Sequence, residues 1–198
     1  MSKLPVMMVS AVVVAGAALL PVDSRAASRP SVERGRYLVE TMVCADCHTP
    51  WHMGPNGPEP DESRAYSGHP ADLVMPPAPE LPPGPWGMIA SATNTAWAGP
   101  WGVSFTANLT PDVETGIGSW TEETFVATLR SGKHMGMGRP LLPPMPWPAY
   151  GKLDDADMSD VFAYLKSLPP ISNRVPQPLP PAASPAEPVP AESVPPGR

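Results

Sequence analysis

The sequence predicts an all-α domain of few, short helices joined by long Pro- and Gly-rich loops. Three observations lead there. Only three segments combine a helical apolar period with helix-start chemistry ahead of them. No segment between them alternates long enough to be read as a strand. Proline supplies 32 of 198 residues, and proline ends helices early and fits poorly inside sheets.

Taken in order, the chain opens on Met1-Ser2-Lys3, an almost wholly apolar run from Leu4 to Val22, and the small-residue end Ser24-Arg25-Ala26. This is the pattern of a secretory signal covering 1–26. A run of that length also suits an uncleaved membrane anchor; Pro21 and Asp23 argue for cleavage. Without the leader, 18 acidic residues stand against 11 basic ones, a net charge of −7. That balance excludes a nucleic-acid binder and suits a carrier that meets basic or mixed surfaces.

The first helix is expected over 32–46, with Ser31 as N-cap and Glu33 in the first turn. Gly35 lies inside it, where a Gly costs ~1 kcal/mol against Ala, so a close helix crossing is expected there. From Thr49 to Ser104, Gly, Pro and Trp punctuate the chain too densely for a regular element. The tryptophans argue against a disordered linker, and loops over a hydrophobic body are expected, with at most one short hairpin. Thr121 caps a helix over 122–131 that Gly132 stops. A third helix is expected over 155–168, with Met158, Val161, Phe162, Leu165 and Leu168 as its packing stripe. Pro169 onward holds 11 prolines in 30 residues, the composition of a polyproline-like or disordered tail. The resulting plan is one domain over 30–170, a loop insertion over 53–104 and a tail over 171–198.

The chemistry centres on Cys44-Ala45-Asp46-Cys47-His48. C-x-x-C-H is the signal for covalent attachment of a c-type haem. Two thiols three residues apart share a helical face, where they can meet the two vinyl groups of one porphyrin. His48 follows as a proximal iron ligand. The same spacing is also found in thioredoxin-type redox pairs and zinc half-sites. The first needs a βαβ setting, and the second needs another Cys/His pair at short spacing, which His52, His69 and His134 do not supply. For the opposite face of the iron the candidate is Met145, in Leu142-Pro143-Pro144-Met145-Pro146-Trp147. Three prolines fix the backbone around one weak thioether ligand and reduce the entropy lost on ligation. Met135, Met137 and His134 are the competing ligands.

These segments, with Asn108-Leu109-Thr110-Pro111-Asp112, Gly116-Ile117-Gly118, Trp120 and Leu129-Arg130-Ser131-Gly132, resemble a class I monohaem c-type cytochrome. They are similar to the cytochrome c domains of bacterial periplasmic dehydrogenase cytochrome subunits. The resemblance covers about 30–175. It implies a cytochrome c fold around one haem c, covalent through Cys44 and Cys47, with His48 and Met145 as axial ligands. It also implies that Gly35 meets Tyr164 or Phe162 where the first and last helices cross. Trp120 and Arg139, with Arg130 and Lys133, are candidates for holding the haem propionates. Two features depart from the family pattern. His48 and Met145 stand 97 positions apart, longer than in small members, and the chain has one haem motif where dehydrogenase subunits often have three.

The function implied is that of a periplasmic electron carrier with no catalysis of its own. Its partners would be periplasmic or membrane redox enzymes, a dehydrogenase or a terminal oxidase, and it would touch a membrane only through an uncleaved leader. Two other readings stay open at this point. One is a haem enzyme or ligand sensor with an open sixth site. The other is a single-haem relay or docking subunit in which the tail is the working part.

Overall fold

Each of the three expected helices begins at the cap its sequence offers. The computed structural model describes residues 29–78, 81 and 84–181; the leader at 1–26 and the last part of the tail lie outside them. Ser31 caps α1 (Val32–Thr41) by accepting from the Arg34 amide. Thr121 caps α3 (Glu122–Ser131) through the Thr124 amide, and Gly132 ends it at φ 65°. Asp154 caps α5 (Asp155–Ser167) through the Asp157 amide. The side-chain oxygens satisfy amides the helices leave unpaired.

The helix expected over 32–46 is two. Thr41 Oγ1 turns back to the carbonyls of Tyr37 and Leu38 at 2.8 and 3.0 Å. Val43 then takes a left-handed conformation, φ 53°, which no helix can pass through. The chain restarts as α2 (Cys44–His48). A fourth short helix, α4 (Trp147–Tyr150), follows Pro146.

The all-α expectation is overturned: the described residues also form two antiparallel sheets. β1 (Trp51–Gly54) and β2 (Gly57–Pro60) make a hairpin around Pro55-Asn56. β3 (Ile89–Ala90), β4 (Ala96–Gly99) and β5 (Gly102–Phe105) make a three-stranded sheet in that order. Proline is tolerated because β2 sits at an edge. All five strands are four residues or shorter, too brief to establish a period of two.

The core lies between the helices. Leu38 and Val39 of α1, Phe125 and Leu129 of α3, and Met158, Val161 and Leu165 of α5 pack with Tyr66 and Ile117. α1 and α5 cross at Gly35, where a Cβ would run into the Asp160 carbonyl oxygen and lie 2.8 Å from Tyr164 Cβ. The Ser31 amide donates to Asp160 Oδ1 at 2.6 Å, and Arg34 Nε reaches Asp157 Oδ1 at 3.3 Å.

The first residues of the Pro-rich segment are held in place. Leu179 exchanges two main-chain hydrogen bonds of 2.9 Å with Val103, covering the outer edge of β5. Asn173 is buried, and its side chain serves the carbonyls of Ser67 and His69 and the Ala71 amide.

Candidate functional site

α2 is too short to satisfy its own ends, and the loops and strands that follow it, from Trp51 to Asn94, serve it. Trp51 Nε1 and Asn94 Nδ2 both donate to the carbonyl of Asp46, at 3.1 and 2.7 Å. The Gly68 amide donates to the His48 carbonyl at 2.8 Å. The C-x-x-C-H turn is therefore gripped by residues up to 48 positions away.

His48 is 7% exposed. Its Nδ1 lies 2.8 Å from the carbonyl oxygen of Ala107. A carbonyl only accepts, so Nδ1 carries the proton. Burial lowers the pKa of His48, against the opposing effect of the Ala107 bond. The result is a neutral imidazole with a fixed plane and its lone pair on Nε2, the form a metal requires.

Burial raises the Cys44 pKa to about 11, reinforced by Cys47 and Asp46. Burial and Asp46 raise that of Cys47 as well. Both are free thiols and stay protonated at neutral pH. This is the opposite of a redox dithiol, whose attacking sulfur is kept ionised by positive surroundings. Among the described residues no three His, Cys, Asp or Glu side chains gather as a metal cluster, so the zinc reading finds no further ligands there.

Met145 is half-buried and packs against the same core cluster as Cys44, Leu109, Trp120 and Tyr150. The Tyr150 hydroxyl donates to the Met42 carbonyl at 2.7 Å, just ahead of the cysteines. The Tyr150 pKa is pushed up to about 12 by burial and by Cys44, Cys47 and Asp46. The element that follows Met145 thus lies against the one that carries the thiols. Trp147 packs on Gly132, where a side chain would strike its indole. The competing ligands are more open, with Met135 and Met137 48% and 86% exposed. The His134 ring instead stands nearly perpendicular to the Trp120 ring, with centroids 5.4 Å apart.

Three of the proposed propionate partners, Trp120, Lys133 and Arg139, lie around His134, whose amide donates to the Arg139 carbonyl at 2.9 Å. Trp120 is half-buried beside the core. Arg139 is exposed, and its Nη1 lies 3.3 Å from the Pro140 carbonyl. Lys133 is exposed. Arg130 is committed to Gly151 and Asp155, at 2.5 and 2.7 Å. A donor the sequence reading missed is Trp101, whose Nε1 is buried without an acceptor among the described residues. Leaving such a group unpaired costs about 1–3 kcal/mol, and the acid groups of a cofactor are the kind of partner that would satisfy it. No sequence signal distinguishes it from the other five tryptophans.

Comparison with known proteins decides what this constellation is. The family model described as Cytochrome c matches residues 32–169. The chain belongs to the cytochrome c family. Membership brings a covalent haem c, and Cys44 and Cys47 stand at the C-x-x-C-H spacing for it. The chain is 38% identical over 149 residues to a nicotinate dehydrogenase subunit of Pseudomonas putida, covering 75% of this chain and 10% of that protein. It is 30% identical over 139 residues to the fructose dehydrogenase cytochrome subunit of Gluconobacter japonicus, covering 70% and 21%. The quinone-dependent alcohol dehydrogenase cytochrome c subunit of Gluconobacter oxydans is 28% identical over 133 residues, covering 67% and 20%. This cytochrome thus spans about a tenth to a fifth of the length of the curated relatives it matches. Its donor set fits the group: two neutral thiols on one turn, a buried imidazole whose Nε2 has no hydrogen-bond partner among the described residues, and a half-buried thioether on the shared core.

Proposed function

We propose that this cytochrome is an electron-transfer protein that relays single electrons from a dehydrogenase to a further acceptor. Cys44 and Cys47 would hold the haem covalently, and His48 and Met145 would ligate its iron. When bound, the haem supplies a one-electron Fe(III)/Fe(II) couple; the chain supplies everything that sets its behaviour. The Ala107 carbonyl holds the His48 proton at Nδ1 and keeps the ring from rotating, which raises the basicity of Nε2. The Pro-framed Met145 offers a soft sulfur that favours the reduced state and raises the potential. The core cluster excludes water from one side of the site.

The observation that carries this reading is the His48–Ala107 hydrogen bond, because it fixes both tautomer and ring plane before any metal arrives. The dehydrogenase partner is inferred from the names of the relatives, and the periplasm from the sequence of 1–26 together with the covalent haem. Among the described residues no helix is long and apolar enough to cross a membrane.

The test is carbon monoxide binding to the reduced protein at neutral pH. A carrier with both axial positions filled gives a low-spin spectrum that carbon monoxide leaves unchanged. A high-spin spectrum with ready carbon monoxide binding overturns the proposal in favour of an open-site haem enzyme or sensor.

A further inference from the structure

The loop that bears Met145 has little to hold it from within. Pro143, Pro144 and Pro146 have no amide proton to donate, and the Met145 amide makes only a 3.3 Å bond to Leu142. The loop is tied at its start by the Leu141 amide to Gly132, at 2.8 Å, and at its end by the Pro146 carbonyl, which accepts from Ala149 and Tyr150. Between those ties, one hydrogen bond reaches it from outside among the described residues: Ser104 Oγ donates to the Pro143 carbonyl at 2.6 Å.

Ser104 is well placed for this. It is 7% exposed, in the middle of β5 opposite Trp97. Its hydroxyl has one proton, and the alternative acceptor, the Trp97 carbonyl, is 3.4 Å away. The bond to Pro143 is therefore the one it makes. The strand cannot easily shift, with β4 on one side and Leu179 on the other. Three residues further on, about 10 Å along extended chain, Ala107 accepts from His48.

We propose that Ser104 is a positioning residue, holding the Met145 loop on the same extended segment whose Ala107 carbonyl orients His48, so that one brace sets both ligands. This rests on the reading of His48 and Met145 as the axial pair. Losing the Ser104 bond lets Met145 leave more readily without disturbing the helical core.

The experiment compares wild-type holoprotein with Ser104→Ala, Ser104→Thr and Ser104→Val. Thr keeps the hydroxyl and Val nearly matches its shape, so that pair isolates the hydrogen bond even where Ala disturbs packing. In Ala and Val the affinity of the ferric protein for added imidazole rises about fivefold. The thioether–Fe(III) charge-transfer band weakens, the midpoint potential falls, and amide exchange rises at Leu141 and Met145 but not in α1 or α5. Thr restores all four. Equal imidazole affinity and an equal band in Thr and Val overturn the role of Ser104 while leaving the axial pair intact. Absence of the charge-transfer band from the wild type overturns the Met145 reading itself.

Discussion

At the scale of single residues, two histidines are buried for different reasons. Among the described residues only Nδ1 of His48 has a hydrogen-bond partner, whereas both nitrogens of His69 are engaged. Nε2 faces the Leu73 carbonyl at 3.1 Å and Nδ1 faces Thr95 Oγ1 at 2.9 Å. The ring is fully buried against Phe105. Burial lowers the His69 pKa, with the Leu73 bond opposing, Arg64 adding to the lowering and Asp72 countering it. The unfolded chain therefore takes up a proton near the ordinary value of about 6.5 that the folded ring resists. Stability is full above that pH and declines as pH falls towards the folded pKa. The slope of melting temperature against pH, between about 6.5 and 5, is expected to flatten in His69→Gln. An unchanged slope would mean that His69 accommodates its charge without cost. The two thiols and His48 were legible because their motif is contiguous. Ala107 and Ser104 were not, since a main-chain carbonyl and a lone hydroxyl have no sequence signature.

At the scale of elements, the crossing of α1 and α5 can be weighed directly. Gly35→Ala gains about 1 kcal/mol of helix propensity. The new methyl must enter space held by the Asp160 carbonyl and Tyr164 Cβ. Neither can swing away, and overpacking of this kind costs typically about 1–3 kcal/mol. The net expectation is a lower urea midpoint with an unchanged slope. A higher midpoint would show that the helices can separate cheaply. This crossing was foreseen because a mid-helix Gly is a position the helix alone disfavours. The same logic located α3 and α5 through Thr121 and the Asp154 cluster. It missed the break at Val43, where a β-branched residue adopts a left-handed backbone that its type does not favour. It allowed one short hairpin but missed the three-stranded sheet; the pairing is set by Gly57 and Gly102 turns rather than by any side-chain alternation. Gly102, at φ 94°, sits where a Cβ would enter the Leu179 carbonyl and crowd the main chain of Pro180.

At the scale of the whole molecule, the 53–104 insertion and the segment after α5 act as one outer layer that clasps the haem-bearing half. Asn173 joins them through Ser67, His69 and Ala71, and its own amide donates to Thr115 at 3.0 Å. Asn173→Ala leaves several buried polar groups unpaired. It is expected to cost roughly 2–3 kcal/mol, read as a lower midpoint in chemical denaturation with haem still covalently bound. A change within about 0.5 kcal/mol would mean that water replaces the side chain there. Composition alone could not reveal this role, because a Pro-rich segment that docks and one that does not share the same residues. The order of helix, C-x-x-C-H, Pro-framed Met and final helix was legible. Each of these is a local signal, and together they outline the site.

The proposed function rests on one haem held between His48 and Met145. The absorption spectrum of the purified ferric protein, wild type against Met145→Ala, probes that grip without intermediary. A low-spin spectrum with a thioether–Fe(III) charge-transfer band is expected in the wild type. In the variant the band is lost while the haem stays covalently attached. A band that survives in Met145→Ala, or a wild type that shows none, would contradict the assignment of the axial pair.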